Sequence, residues 1–207
     1  MADPARTVEA RLPDASLPVE SSAVEPAERD AEIVARAQQG DLGAFEELVR
    51  EHQKRLFGYV YRMLGNPAEA EELVQQAFVR AWKGLPGFRA ESSFKTWLYR
   101  IATNLSINRT KRRKPTVELP ETLAAPSSEE PEERYRQRQR EELVRAALER
   151  LPGDQRSALV LATYEDMSYR DIARAMGKTE RAVDSLLFRA RANLRKLLEP
   201  ARKQGVI

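Results

Sequence analysis

Residues 88–114 read FRAESSFKTWLYRIATNLSINRTKRRK, and how this stretch is read decides the fold of the first half of the chain. Eight Lys and Arg stand against a single acid, Glu91, and aromatic residues are interleaved with the charge. At about 100° per residue, Phe94, Trp97, Leu98, Ile101 and Leu105 share one face of a helix, and Ser92 or Ser93 is placed to cap it. A neighbouring stripe carries Thr96, Arg100, Asn104 and Lys111, with Asn104 at the seam beside Trp97. One face packs, and the next offers cations, amides and aromatic edges. Single-stranded nucleic acid needs that set, because phosphates take cations and unstacked bases take flat partners and amides. An amphipathic helix with a solvated basic face fits the stretch equally well.

The surrounding sequence tips the balance. The 207 residues carry a net charge of only +3, with 42% hydrophobic and 32% charged residues. This fits a helix-rich, core-forming protein of one or two small domains. The charge is segregated: residues 89–114 hold eight basic residues and one acid, and residues 178–207 hold eight and three. Between them, residues 115–133 hold six acids and no base. Two basic blocks divided by an acidic spacer suggest two contacts with one polyanion.

Several function classes fall away. There is no Cys, so disulfides, thiolate metal sites and thiol redox chemistry within this chain are excluded. His52 is the only histidine and reads as a packing residue, not a ligand. No candidate nucleophile, base, metal site or cofactor loop is identifiable. No apolar run approaches the ~20 residues that span a bilayer, and the first residues lack the apolar core of a secretory signal. A cytoplasmic, non-enzymatic protein is the expectation.

Along the chain, residues 1–29 are Pro-rich and aperiodic and read as a disordered tail. Asp30 is placed to cap a short helix ending at Gly40. Asp41 caps a long helix to about Leu64. Asn66-Pro67-Ala68-Glu69 opens a helix to about Lys83, whose polar side shows Glu72, Gln75, Gln76, Val79 and Lys83. An exposed β-branched valine in that stripe suggests a partner contact. After the 88–114 stretch come four prolines and an acidic linker. Helices resume near Glu132 and again near 155, with Asp154 as cap. Ser168-Tyr169-Arg170-Asp171 is a capping box opening a short helix. Gly177-Lys178 turns, and Thr179 caps a final helix to about Leu198. Short helix, glycine turn and longer capped helix form a helix-turn-helix pattern. On the last helix, Arg181, Asp184, Ser185, Phe188, Arg189 and Arg195 point outward.

These residues together resemble one family. Gly40-Asp41 with Ala44–Leu48, Ala70–Gln75 with Phe78 and Arg80–Trp82, and Phe88–Asn104 carry the resemblance in the first half. Leu151-Pro152, Ser168-Tyr169, Asp171–Ala173, Met176-Gly177, Ala182-Val183, Ser185 and Arg189–Arg191 carry it in the second. The chain resembles the extracytoplasmic-function (ECF), or group IV, sigma factors of the sigma-70 family. The resemblance implies an all-α protein of two small helical domains joined by a flexible acidic linker. Residues 1–29 would be the tail and 30–113 sigma region 2. The linker would be 114–132, the region 4 helix-turn-helix 133–199, and a short tail 200–207. It further implies a protein that binds core RNA polymerase through the β′ clamp helices and β flap, and that binds promoter DNA. An anti-sigma factor would hold it in check.

Residue by residue, the −10 element would meet Phe88, Arg89, Ser92, Lys95, Trp97, Arg100, Asn104, Lys111 and Arg112. The −35 element would meet Thr179, Arg181, Asp184, Ser185, Phe188, Arg189 and Arg195. Core polymerase would meet Glu72, Gln75, Gln76, Val79 and Lys83. Gln76 stands where the family usually has Glu, and Asp184 and Leu186 where many members carry Lys or Arg. The competing readings are a stand-alone helix-turn-helix regulator and a helical adaptor that binds protein instead of DNA.

Overall fold

The computed structural model describes residues 26–112, 132–203 and 205–206. Among these residues every regular element is helical. The order is α1 (Pro26–Gln38), α2 (Leu42–Leu64), α3 (Pro67–Gly84), a 3-10 turn (Leu85–Gly87), α4 (Phe94–Arg112), α5 (Glu132–Glu149), α6 (Gly153–Tyr164), α7 (Tyr169–Met176) and α8 (Glu180–Lys203).

The helix boundaries follow local chemistry. Asp41 accepts from Ala44 N–H at 3.0 Å, and Asn66 does the same for Glu69. Ser168 caps α7 through Asp171 N–H, and Thr179 caps α8 through Ala182 N–H. Each such cap contributes on the order of 1 kcal/mol. Gly177 is left-handed at φ 61°, which lets Lys178 N–H reach the Ala173 carbonyl and closes α7.

Some sequence expectations shift. α1 begins at Pro26, inside the stretch read as tail. Asp30 is therefore interior to α1, and it pairs with His52 Nε2 at 3.0 Å instead of capping. Asp154 lies in the first turn of α6, behind Pro152, and pairs with Lys178 at 3.0 Å. α8 runs through Pro200 to Lys203. The proline costs only one late ladder bond there, and Ala201 beyond it is buried. Most of the linker lies outside the described residues, and Glu132 already belongs to α5.

α1–α4 form one bundle around Leu48, Leu56, Val60, Leu73, Ala77 and Leu98, α5–α8 form a second around Leu148, Leu161, Ile172, Val183 and Leu187, and the buried apolar residues of the two join in one continuous core. Leu187→Ala should lower the stability of the second bundle by about 2–5 kcal/mol, the usual cost of emptying a closed leucine site. Urea unfolding of the variant checks this.

The two bundles pack on each other through α4 against α7 and α6, and α2 against α5 and α6. α4 is thus buried on two sides. Phe94, Leu98 and Leu105 face its own bundle as expected. Tyr99, Ala102, Thr103 and Ser106 are buried as well, although the sequence offered no reason to expect it. The Tyr59 hydroxyl, fully buried, bridges Thr103 Oγ1 at 2.8 Å and Ser157 Oγ at 2.9 Å. Tyr99 donates to Glu165 Oε2 at 2.5 Å. The buried Arg156 guanidinium donates to the Met63 carbonyl at the end of α2 and to the Glu149 and Leu151 carbonyls.

Candidate nucleic-acid interface

The first candidate surface is built on an aromatic cluster. The Phe88 ring lies 4.9 Å from Trp97 and 6.4 Å, edge-on, from Phe94, and Phe94 lies 6.0 Å from Trp97. A Cβ at Gly84 would sit 3.2 Å from Trp97 Cζ2, so a glycine lets the indole lie against the end of α3. Gln38 Nε2 donates to the Leu85 and Phe88 carbonyls at 3.0 and 2.8 Å and ties the loop to α1. This positioning residue was invisible in the sequence, because an exposed-looking glutamine at a helix end carries no periodic signal. Ser93, not Ser92, caps α4, accepting from Thr96 N–H at 3.1 Å. Ala90 in the same loop has φ 54°, a conformation alanine adopts at a cost of order 1 kcal/mol or more.

From this base Trp97, Arg100 and Asn104 follow at i, i+3 and i+7, with Arg100 and Asn104 exposed. Arg89, Lys111 and Arg112 are exposed around them, and Ser92 is half-buried. Two members of the expected outer face turn away. Thr96 is buried against Ser93, with its hydroxyl 2.9 Å from that of Ser93. Lys95 donates to the Glu165 carbonyl at 2.7 Å, and burial lowers its pKa from the ordinary lysine value.

The second surface is α8. Arg181, Asp184, Ser185, Phe188, Arg189 and Arg195 are exposed, and Phe188 is 74% accessible, far from any core role. Arg189 Nε donates to its own Ser185 carbonyl at 3.1 Å. Leu186 is buried, so this position contributes packing.

The third surface is the polar side of α3. Gln75, Val79 and Lys83 are exposed, Val79 at 53%. Glu72 is less independent than the sequence indicated. Its Oε1 accepts from Gln76 at 2.9 Å and from Arg109 at 3.3 Å, linking α3 to α4. Glu69 joins the same arginine at 3.7 Å.

Comparisons with known proteins identify the family. Models of Sigma-70 region 2 and Sigma-70 region 4 match residues 48–116 and 141–194. The RNA polymerase sigma-H factor of Pseudomonas aeruginosa is 36% identical over 189 residues, covering 86% of this chain and 98% of that protein. The ECF RNA polymerase sigma-E factor of Haemophilus influenzae is 33% identical, covering 83% and 96%. A solved structure of CnrH in complex with the cytosolic domain of CnrY is similar at a TM-score of 0.65 and 26% identity, covering 83% of this chain and 97% of that one.

The chain belongs to the sigma-70 family and is an ECF-type sigma factor. It binds core RNA polymerase and directs it to promoters, using region 2 for the −10 element and the region 4 helix-turn-helix for the −35 element. Nothing in these matches supports a stand-alone regulator. Among the described residues no helix is long and apolar enough to cross a membrane, and no group of acids and histidines is arranged to hold a metal ion.

Proposed function

We propose the following division of labour among the residues. The Phe88–Ser93 loop and the Trp97–Arg100–Asn104 line of α4 open and hold the −10 strand, with Arg89, Lys111 and Arg112 on its phosphates. The outward face of α8 from Thr179 to Arg195 enters the major groove at the −35 element. The α3 stripe of Gln75, Val79 and Lys83 docks on the β′ clamp helices. The protein works in the cytoplasm, carries out no chemistry of its own, and is held by an anti-sigma protein until released. The CnrH structure, solved with the cytosolic domain of CnrY, supports that last point by analogy.

The observation that carries the assignment is the aromatic cluster under Trp97, with the exposed Arg100 and Asn104 rising from it on one helix. Flat rings, a cation and an amide in line are what an unstacked strand binds. Run-off transcription with purified core enzyme tests the reading. Transcripts from a cognate promoter must depend on this chain.

The polymerase contact has its own test. Val79 is half exposed with no packing role, so Val79→Asp leaves the fold intact and places a charge in an apolar contact. It should weaken core binding by about tenfold or more, at unchanged helicity, since a desolvated charge costs at least ~1–3 kcal/mol. Glu72→Lys is the poorer probe, because it also breaks the pairing with Arg109. Unchanged core affinity of Val79→Asp in a titration would remove α3 from the interface.

A further inference from the structure

The loop residues Arg89 to Ser92 run between two fixed points. After them the Ser93 hydroxyl caps α4. Before them Gln38, the last residue of α1, directs one amide nitrogen at two carbonyls, Leu85 at 3.0 Å and Phe88 at 2.8 Å. The Leu85 carbonyl also accepts from Phe88 N–H at 3.0 Å. A single side chain therefore braces the 3-10 turn and sets the direction in which the backbone leaves it.

The loop needs such a brace. Arg89, Ala90 and Glu91 are exposed, so side-chain packing does little to select one backbone shape. Ala90 is left-handed at φ 54°. A residue with a Cβ disfavours that conformation, and it persists only where the surroundings impose it. α1 can impose it because the helix is itself held at both ends. Next to Gln38, Ala37 is buried, and Arg36 pairs with Asp41 at 2.7 Å across the turn into α2. Nearer the other end, Asp30 lies 3.0 Å from His52 Nε2, and the His52 ring lies 5.4 Å from Phe94 in the aromatic cluster under the loop. Helix, loop and aromatic base are one connected unit.

We propose that Gln38 is a positioning residue for −10 recognition, holding the loop against the strain at Ala90 in the shape that receives the unpaired strand. It acts through the Leu85 and Phe88 carbonyls and not by touching DNA. This rests on the reading of the Phe88–Ser93 loop as a −10 contact. Without the amide the loop spreads over other shapes, and apparent affinity falls with the fraction left in the binding one. Loss of two amide hydrogen bonds lowers that fraction by roughly tenfold.

The test pairs two uncharged substitutions, so that neither alters the attraction of DNA phosphates. Gln38→Met keeps the length of the side chain and removes the donor. Ala90→Gly removes the strain, because glycine adopts positive φ freely. Holoenzyme is assembled from core polymerase and the full chain, and its affinity is measured for a labelled single strand spanning the −10 element of a promoter it transcribes. Gln38→Met should weaken strand binding by roughly tenfold at unchanged core affinity and unchanged helicity. Ala90→Gly alone should change binding by less than about twofold, since the wild-type loop is already held. In the double variant Ala90→Gly should recover about threefold or more of the loss, a rescue that general damage to the fold would not show. Strand binding by Gln38→Met equal to wild type overturns the proposal. So does a double variant as weak as Gln38→Met. If wild-type holoenzyme does not hold the strand at all, the −10 reading itself falls and this inference with it, so the two failures are told apart by the wild-type measurement.

Discussion

Asn104→Ala is expected to reduce opening of the −10 element by roughly tenfold or more while leaving binding to duplex promoter nearly unchanged. Asn104 is exposed on α4, two turns beyond Trp97, with the exposed Arg100 between them. Seven residues of helix span about 10 Å, a distance that suits a base stacked near the indole and a second base, unpaired, held at the amide. An unpaired base presents the edge that the duplex hides, and hydrogen bonds to that edge hold it out of the stack. Loss of one two-pronged amide contact is worth roughly 1–3 kcal/mol, which is the magnitude asked for here. The substitution is clean because the side chain is exposed and alanine favours the helix. Trp97→Ala is not clean. The indole packs on Phe88, Phe94 and Gly84, and its removal leaves a hole in the support of the loop as well as removing a stacking surface. The measurement is permanganate reactivity of the −10 thymines in the polymerase–promoter complex. Unaltered reactivity with Asn104→Ala would take this residue out of the opening step.

Capping and turn chemistry were legible in the sequence, because Asp41, Asn66, Ser168 and Thr179 act within three residues of where they stand. So was the outward placement of Val79 and Phe188, since both break the apolar period of their helices. The second buried face of α4 was not. Periodicity counts apolar residues, and this face is made of Lys95, Tyr99, Thr103 and Ser106, which read as solvated until their partners are known. Glu165, which receives Lys95 and Tyr99, lies 66 residues beyond Tyr99, and Thr103 meets Tyr59 of α2, whose other partner Ser157 lies 98 residues beyond it. Arg156 was missed for the same reason: a buried guanidinium is explained only by the carbonyls it finds at the ends of α2 and α5. The resemblance placed Lys95 on the −10 element and Glu72 on polymerase. The structure shows each charge already engaged, Lys95 with Glu165 and Glu72 with Arg109. What local sequence conveys is which surfaces exist. What it withholds is which of them the chain uses on itself.

The −35 reader gives the second large effect, on specificity. Recognition helices meet base edges with the residues near their N-terminus, and on α8 these are Arg181, Asp184, Ser185, Phe188 and Arg189, all exposed. Arg189 spends its Nε on the Ser185 carbonyl, which leaves the two Nη groups as the donors for DNA. A bidentate arginine–guanine pair discriminates by roughly 1–3 kcal/mol, about 5- to 150-fold. Arg189→Ala should therefore flatten the preference at one −35 position and leave the others intact. If Arg189 meets only phosphate, all −35 sequences weaken together and the salt slope falls by about one. Asp184 gives the opposite sign. An acid in the groove repels phosphate and can accept only from a cytosine amino group, so it lowers general affinity and supplies selectivity. Asp184→Arg should tighten binding to unrelated DNA and relax or move the preferred −35 sequence. Leu186 cannot compensate from its neighbouring position, because its side chain is buried against the rest of the bundle. Selection of binding sites from a randomised −35 library compares the three proteins directly. Identical preferences for wild type, Arg189→Ala and Asp184→Arg would mean that α8 positions the DNA without reading it.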